Sequence, residues 1–317
     1  MHVHPALAIP FETTTLRSDF NTMQRGGGPD PAPGHGVGFV GSQGRGWTVA
    51  SSMAPELWHG VDTTKAHPAR VYDYWLGGKD HFAADRVVAE RAALNAPEVT
   101  EACRENRAFL GRAVRRLAEQ GERQFLDIGT GFPTMGNSNE AAHAVAPEAR
   151  VVCVDNDPVV LAHSRALLAG RGQKGTTVMS GDLRDPEGIL DDPQLRTVLD
   201  FSRPVVVLLV AVLHFIPDAH EPAAIVSRFR EALAPGSSLV LSHATYDFNI
   251  KVLNNSRVYN DVTAPFIPRS RAQVMKLLGG FELEEPGLVD VAQWHPDGVR
   301  PLPGHPLNIY GALARKA

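Results

Sequence analysis

Three apolar runs in this chain each end on an aspartate: Asp127 in QFLDIGTGFPT, Asp155 in RVVCVD and Asp182 in TTVMSGD. Gly129 and Gly131 follow the first of them, and glycine allows a turn, and a close approach of ligand to backbone, that a side chain would block. Carboxylates in such positions accept hydrogen bonds from ligand hydroxyl and amino groups. Asp155 comes 24 residues after Gly131, about where a carboxylate meets ribose hydroxyls in nucleotide-binding α/β domains. Asp182 repeats the pattern one strand further on, placed to accept from an adenine amino group. A fourth apolar run, 205–216, ends in Ala211, Val212, Leu213 and His214.

The elements around these residues alternate. QFLDI, RVVCVD, TTVMSGD, RPVVVLLVAVLHF and SSLVLSHA read as strands. Helical stretches at 137–146, at 158–170 (opened by Pro158, closed by Gly170) and in EPAAIVSRFREALAPG separate several of them. Strands joined by helices imply right-handed crossovers and a mainly parallel sheet covered on both faces. FELEEPGLVDVAQW and NIYGALARK follow a helical stretch near 270–278 with no helix between them, so they are expected as antiparallel neighbours. The expected architecture is therefore a three-layer α/β fold with a seven-stranded sheet and an antiparallel last strand. Upstream, helices are expected before a Gly77–Gly78 break, from about Phe82 to Asn95, and over VTEACRENRAFLGRAVRRLAEQG with Gly121 as its stop.

Ligands of such sheets lie beyond the carboxyl ends of the strands, and two cofactors compete for that position. A dinucleotide needs its pyrophosphate met by a helix N-terminus and a third glycine; here Thr134 holds that place, after Pro133, and Asp127 sets a negative charge near the phosphates. S-adenosylmethionine has no phosphate and carries a sulfonium and an ammonium, which tolerate an acidic neighbour. The residues favour the methyl donor.

Composition narrows the class further. The formal charge is −4, from 31 Lys plus Arg and 35 Asp plus Glu, and no like-charged block is long enough for a nucleic-acid partner. The longest apolar run is too short to cross a bilayer. Cys103 and Cys153 match neither a zinc nor a redox spacing, so both are read as structural and a reduced cytoplasmic setting is expected. No metal site is expected, since His2 and His4 lack a third ligand. Residues 1–52, with QRGGGPDPAPGHGVGFVGSQGRG among them, are expected to be a disordered Gly/Pro-rich tail. Met53, where that composition ends, is a candidate translation start.

ARVYDYWLGGKDHFAADR, NRAFLGRAVR, QFLDIGTGFPT, VVCVDNDPVV, GDLRDPEGIL, VVLLVAVLHFIPD, LAPGSSLVLSH and PGLVDVAQWHP together resemble the blocks of an actinobacterial S-adenosyl methyltransferase family of unknown substrate, from about residue 60 to the end. The resemblance implies a Rossmann-like class I methyltransferase fold that binds S-adenosylmethionine and methylates an unidentified, small-molecule acceptor. It implies Asp127, Gly129, Thr130 and Gly131 at the methionine part, Asp155 and Asn156 at the ribose, Asp182 and Leu183 at the adenine, and Ala211 to His214, Val212 included, as the fourth-strand wall. The family's usual GNVHE is GNSNE here, with Asn139 at the histidine position.

Residues 53–122 are read as a helical extension or lid and 123–317 as the cofactor-binding domain. Tyr72, Gly77 and Gly78 suit a lid over the cofactor, and Asn106 and Arg107 reach toward the methionine carboxylate. His214, His243 and Tyr246 are the candidate bases for an oxygen or nitrogen acceptor. Two alternatives stand beside the methyltransferase: a nicotinamide oxidoreductase and a non-catalytic regulator that only binds the cofactor.

Overall fold

Five runs become strands where their Val, Leu and Ile content demands it: β1 (Gln124–Ile128), β2 (Arg150–Asp155), β3 (Thr176–Ser180), β4 (Val206–Val210) and β5 (Ser238–Ala244). Three more follow, β6 (Glu282–Leu283), β7 (Val289–Asp290) and β8 (Ile309–Arg315). The computed structural model describes residues 61–133, 136–171, 175–298 and 303–317. The 1–52 tail, Met53 and Thr134 lie outside the described residues. All described residues belong to one compact unit, Thr48–Ala317.

The sheet runs β3-β2-β1-β4-β5-β8-β6, with β7 also paired to β8. β1 to β5 pair in parallel, and β8 runs antiparallel to β5, β6 and β7. Eight strands replace the expected seven because the sixth is broken. Pro286 has no N–H to give a ladder, and Gly287, at φ +83°, turns back to donate to the Glu284 carbonyl at 2.8 Å.

Helices fill both sides. They are α1 (Pro68–Trp75), α2 (Ala83–Asn95), α3 (Val99–Glu119), α4 (Ser138–Val145), α5 (Pro158–Arg171), α6 (Pro186–Leu190), α7 (Pro193–Val198), α8 (Pro222–Ala232), α9 (Asn255–Val258) and α10 (Arg271–Leu277). Alternate strand residues point to opposite faces. Leu126, Val152, Val207 and Leu239 therefore meet Ile189 of α6, Leu195 of α7, Phe229 of α8 and Val274 of α10. Their neighbours Phe125, Val151, Val206 and Val240 meet Phe109, Ala113 and Leu117 of α3 and Ala142 of α4. Each large side chain so buried contributes about 1.5–3 kcal/mol.

α3 forms on the spacing of those apolar residues and stops where Gly121 takes φ +99° and Glu122 donates to the Leu117 carbonyl at 3.0 Å. α5 runs one residue past its expected stop at Gly170. β4 stops at Val210, short of the expected 215, because Ala211 turns to φ +56° and a 3₁₀ turn, Leu213–Phe215, follows. α1 and α2 make a separate cluster from Val71, Val88, Ala89 and Ala92 with Tyr259, packed against Phe215 and Phe266. A second contact sets Ala69 and Phe82 on Phe132, Val159 and Val160. These two contacts hold α1 above the carboxyl ends of the parallel strands.

Candidate functional site

Parallel strands all end on one side of a sheet, so the residues just past β1, β2, β3 and β4 converge. They line a cavity of about 410 Å³ whose other wall comes from α1, α3 and residues 263–264. That volume lies within the usual range of small-molecule sites, about 300–1,000 Å³.

Gly129, at φ +75°, donates its N–H to the Val154 carbonyl at 2.8 Å, and a Cβ there would stand 2.6 Å from Val212 Cγ2. Gly131, at φ +66°, donates to Asp155 Oδ2 at 2.9 Å, and a Cβ there would meet nothing within 4 Å. The first glycine is required by the fold, whereas the second leaves open cavity beside the backbone.

Each strand-end carboxylate is held differently. Asp127 is buried, and its Oδ2 accepts from the hydroxyls of Ser138, the first residue of α4, and Thr130. Burial raises its pKa against those hydrogen bonds. Asp155 accepts from Gly131 N–H on one oxygen and from Asp157 N–H, at 2.9 Å, on the other. Its 4 % exposure makes the charged form costly, and its pKa is pushed up to about 6. Asp182 is the opposite case. Arg184 donates Nε and its own N–H to Oδ1 and Nη2 to Oδ2, Asn156 Nδ2 stands 3.4 Å away, and the Arg184 hydrogen bonds hold the carboxyl down at about 2.

On the α1 and α3 wall, Tyr72 donates to the Cys103 carbonyl at 2.9 Å and accepts from Asn106 Nδ2 at 3.0 Å. The Arg107 guanidinium lies 5.8 Å from the Tyr72 ring centre. Burial raises the Tyr72 phenol. Four buried polar atoms of this wall have no hydrogen-bond partner: Arg70 Nε and Nη1, Asp73 Oδ1 and Asn106 Oδ1. Buried polar atoms are rarely left unpaired, so these atoms mark a polar stretch of the wall.

Thirteen of the residues expected from sequence are therefore brought together on one cavity: Tyr72, Asn106, Arg107, Asp127, Gly129, Thr130, Gly131, Asp155, Asn156, Asp182, Leu183, Ala211 and Val212. Gly77 and Gly78 are not on the lining. Gly77 makes the turn at φ +78°, and a Cβ on Gly78 would stand 1.9 Å from Asp73 Oδ1. Both shape the position of Asp73, which does line the cavity.

The three candidate bases also fall outside the lining. His214 turns inward after Ala211, its Nδ1 accepts from Ala244 N–H at 3.2 Å, and burial lowers its pKa well below the usual range. His243 is fully buried in β5; Nδ1 donates to the Ala244 carbonyl at 2.7 Å, Nε2 accepts from Arg269 at 3.0 Å, and burial lowers its pKa to about 3. Tyr246 donates to Gln273 Oε1 at 3.2 Å. In this arrangement neither imidazole offers a nitrogen lone pair to the cavity, so the expectation of a base there is corrected. Sequence reasoning missed Asp157, Phe215, Thr263 and Ala264, all on the lining. Asp157 had a local signal, since it caps α5 by accepting from Val159 N–H at 2.8 Å.

The donor set suits an S-adenosyl nucleoside with an amino-acid tail better than a dinucleotide. At the start of α4, where a pyrophosphate would sit, Asn137 Oδ1 accepts from Glu140 N–H and Glu140 Oε2 accepts from Gly136 N–H. A helix N-terminus so occupied by its own acceptors and an added negative charge is a poor seat for phosphate.

A family described as S-adenosyl methyltransferase matches residues 55–317. The chain is 40% identical to a proposed methyltransferase from Thermobifida fusca YX, over 83% of this chain and 97% of that one, with a TM-score of 0.76. It is 43% identical to a DUF574 family protein from Streptomyces avermitilis MA-4680, over 81% of this chain and 99% of that one, with a TM-score of 0.75. No curated protein matches at a significant level.

Proposed function

The chain belongs to the S-adenosyl methyltransferase family, and from that premise we propose that the strand-end cavity holds S-adenosylmethionine while a small molecule accepts its methyl group. The chain is a methyltransferase dependent on that cofactor; the placement within the cavity and the size of the acceptor are our reading. Asp127, Gly129, Thr130 and Gly131 receive the methionine part, with Asn106 and Arg107 at its charged end and Tyr72 behind them. Asp155 and Asn156 receive the ribose, Asp182 and Leu183 the adenine, and Ala211 and Val212 wall the cavity. Residues 123–317 act as the cofactor-binding domain and 53–122 as its helical extension. The observation that carries this reading is the meeting of Asp155 with the Gly131 N–H at 2.9 Å on the cavity lining.

The cofactor, when bound, supplies an electrophilic methyl group on a sulfonium. Displacement at such a carbon needs alignment more than a fixed nucleophile, and the chain contributes alignment and exclusion of water. α1 and Phe132 cover the cavity, and Gly131 lets the ligand lie against the backbone. Six aspartates and three arginines line it, which disfavours a polyanionic acceptor. No helix among the described residues is long and apolar enough to cross a membrane. The two thiols are free and buried, in keeping with a reducing cytoplasm.

Calorimetric titration tests the cofactor assignment: S-adenosylhomocysteine binds with one-to-one stoichiometry and NADH does not bind. Saturable NADH binding with none by S-adenosylhomocysteine would overturn it. The pH dependence carries a sign. Ribose hydroxyls donate to an ionised carboxylate, so binding pulls the Asp155 pKa below its free value of about 6. Affinity for S-adenosylhomocysteine then falls as pH drops through that value, and binding near it releases a fraction of a proton. Titrations in buffers of different ionisation enthalpy measure this; proton uptake, or affinity constant across that range, contradicts it.

A further inference from the structure

Ala211, Val212, Phe215 and Ile216 bring the turn after β4 onto the cavity lining, and Thr263 and Ala264 bring the segment that leads into α10. Ala211 sits at φ +56°, a strained conformation for a residue with a Cβ, which persists only where its neighbours over-determine it. Its N–H donates to Ser242 Oγ at 2.9 Å, which ties the start of the turn to β5. The far end of the turn is held by Arg269.

Arg269 is 3 % exposed and stands behind the lining rather than on it. A guanidinium carries five N–H donors in a rigid fork, and here all of them are engaged. Nη1 donates to the Leu213 carbonyl at 3.1 Å and to His243 Nε2 at 3.0 Å, and Nη2 donates to the Ile216 carbonyl at 2.8 Å and to Asp218 Oδ1. Nε donates to that same carboxylate oxygen at 3.2 Å. Burial first, and then the cationic guanidinium, keep His243 neutral with its pKa lowered to about 3, so the ring accepts the hydrogen bond instead of repelling the charge. The backbone of the segment is tied down as well. Ile267 N–H donates to the His214 carbonyl at 2.8 Å, Arg269 N–H to the Ala244 carbonyl at 3.0 Å, and Thr263 N–H to the Ala66 carbonyl at 3.0 Å, just before α1. One side chain therefore fastens two parts of the cavity wall to each other.

We infer that Arg269 is a positioning residue: through the Leu213 and Ile216 carbonyls it holds the 211–216 turn in the shape that receives the cofactor, and so sets the fraction of free protein that is ready to bind. This rests on the reading of the cavity as the S-adenosylmethionine site and deepens it. Because Arg269 does not reach the lining, its removal acts on the free protein. When only a competent fraction of molecules binds, the apparent dissociation constant rises as that fraction falls. The loss then appears in the association rate, whereas a side chain that touches the ligand acts mostly on the dissociation rate. Lysine is no substitute, since its three donors radiate from one nitrogen and cannot span both carbonyls, His243 and Asp218.

Surface plasmon resonance of S-adenosylhomocysteine over the immobilised full chain measures both rates. Arg269→Met keeps the apolar stem and removes all five donors. It should lower affinity about tenfold or more, a fall of the competent fraction to about a tenth, with the dissociation rate within about twofold of wild type. Arg269→Lys should fall between the two and shows the same pattern of rates. Leu117→Ala truncates the core where α3 meets the amino end of β1, away from the cavity, and should leave both rates within about twofold, which separates positioning from a general loss of stability. An unchanged association rate in Arg269→Met, a loss confined to the dissociation rate, an equal loss in Leu117→Ala, or failure of both Arg269 variants to fold would each overturn the inference. Failure of S-adenosylhomocysteine to bind the wild type would instead overturn the cofactor assignment.

Discussion

Asp155→Ala should weaken S-adenosylhomocysteine binding by about 100-fold or more while the protein stays folded, because two hydrogen bonds from the ribose hydroxyls to a charged group, each worth about 1.5–3 kcal/mol, are lost together. The carboxylate acts twice. It is the acceptor placed for the ribose, and through Gly131 N–H and Asp157 N–H it also joins the β1 turn to the start of α5. Asp155→Asn keeps the side-chain shape and one acceptor oxygen, so it should fall between wild type and Asp155→Ala and lose the dependence on pH near 6. Calorimetry gives the affinities, and far-UV circular dichroism with urea unfolding gives the folding control. Wild-type affinity in Asp155→Ala would remove the ribose from this position.

The two glycines of the β1 turn should separate stability from binding. An alanine at 129 would carry its Cβ 2.6 Å from Val212 Cγ2 at φ +75°. Overpacking and left-handed strain add, so Gly129→Ala should cost about 3 kcal/mol of stability. An alanine at 131 has the same strained backbone, φ +66°, and no protein atom within 4 Å of its Cβ. Gly131→Ala should therefore cost only about 1 kcal/mol, yet its methyl group stands in the cavity and should weaken S-adenosylhomocysteine more than tenfold, the effect of overfilling a packed contact. Urea unfolding and calorimetry on both variants decide the matter. A Gly131→Ala protein that binds normally, or that is the less stable of the two, contradicts the assignment of these glycines.

Much of the scaffold was legible because parallel strands buried on both faces read as unbroken Val, Leu and Ile runs, and because Asp and Gly mark their ends. Asp127, Gly129, Gly131, Asp155, Asp182, Ala211 and Val212 on the cavity follow from that, whereas Thr130, Asn156 and Leu183 came with the family resemblance and Tyr72, Asn106 and Arg107 from the N-terminal helices. What escaped was set by tertiary contacts or rare backbone. β4 seemed to run through His214, but Ala211 adopts φ +56°, a conformation that few non-glycine residues take and that no local pattern announces. The turn then buries His214 instead of presenting it. His243 sits at a strand end as expected, yet Arg269, 26 residues later, takes its Nε2. α6 and α7 were missed although Asp185–Pro186 and Asp192–Pro193 place an N-cap and a proline at their starts, a signal that short helices share with turns. α5 is capped by Asp157, which accepts from Val159 N–H.

The most direct test is a crystal structure of the protein with S-adenosylhomocysteine bound. The ribose hydroxyls should lie within hydrogen-bond distance of the Asp155 carboxylate, the amino-acid tail along Gly129–Gly131 toward Arg107, and the adenine beside Asp182 and Leu183. A ligand lying in the reverse direction, with adenine against Asp127, or bound outside this cavity, would contradict it.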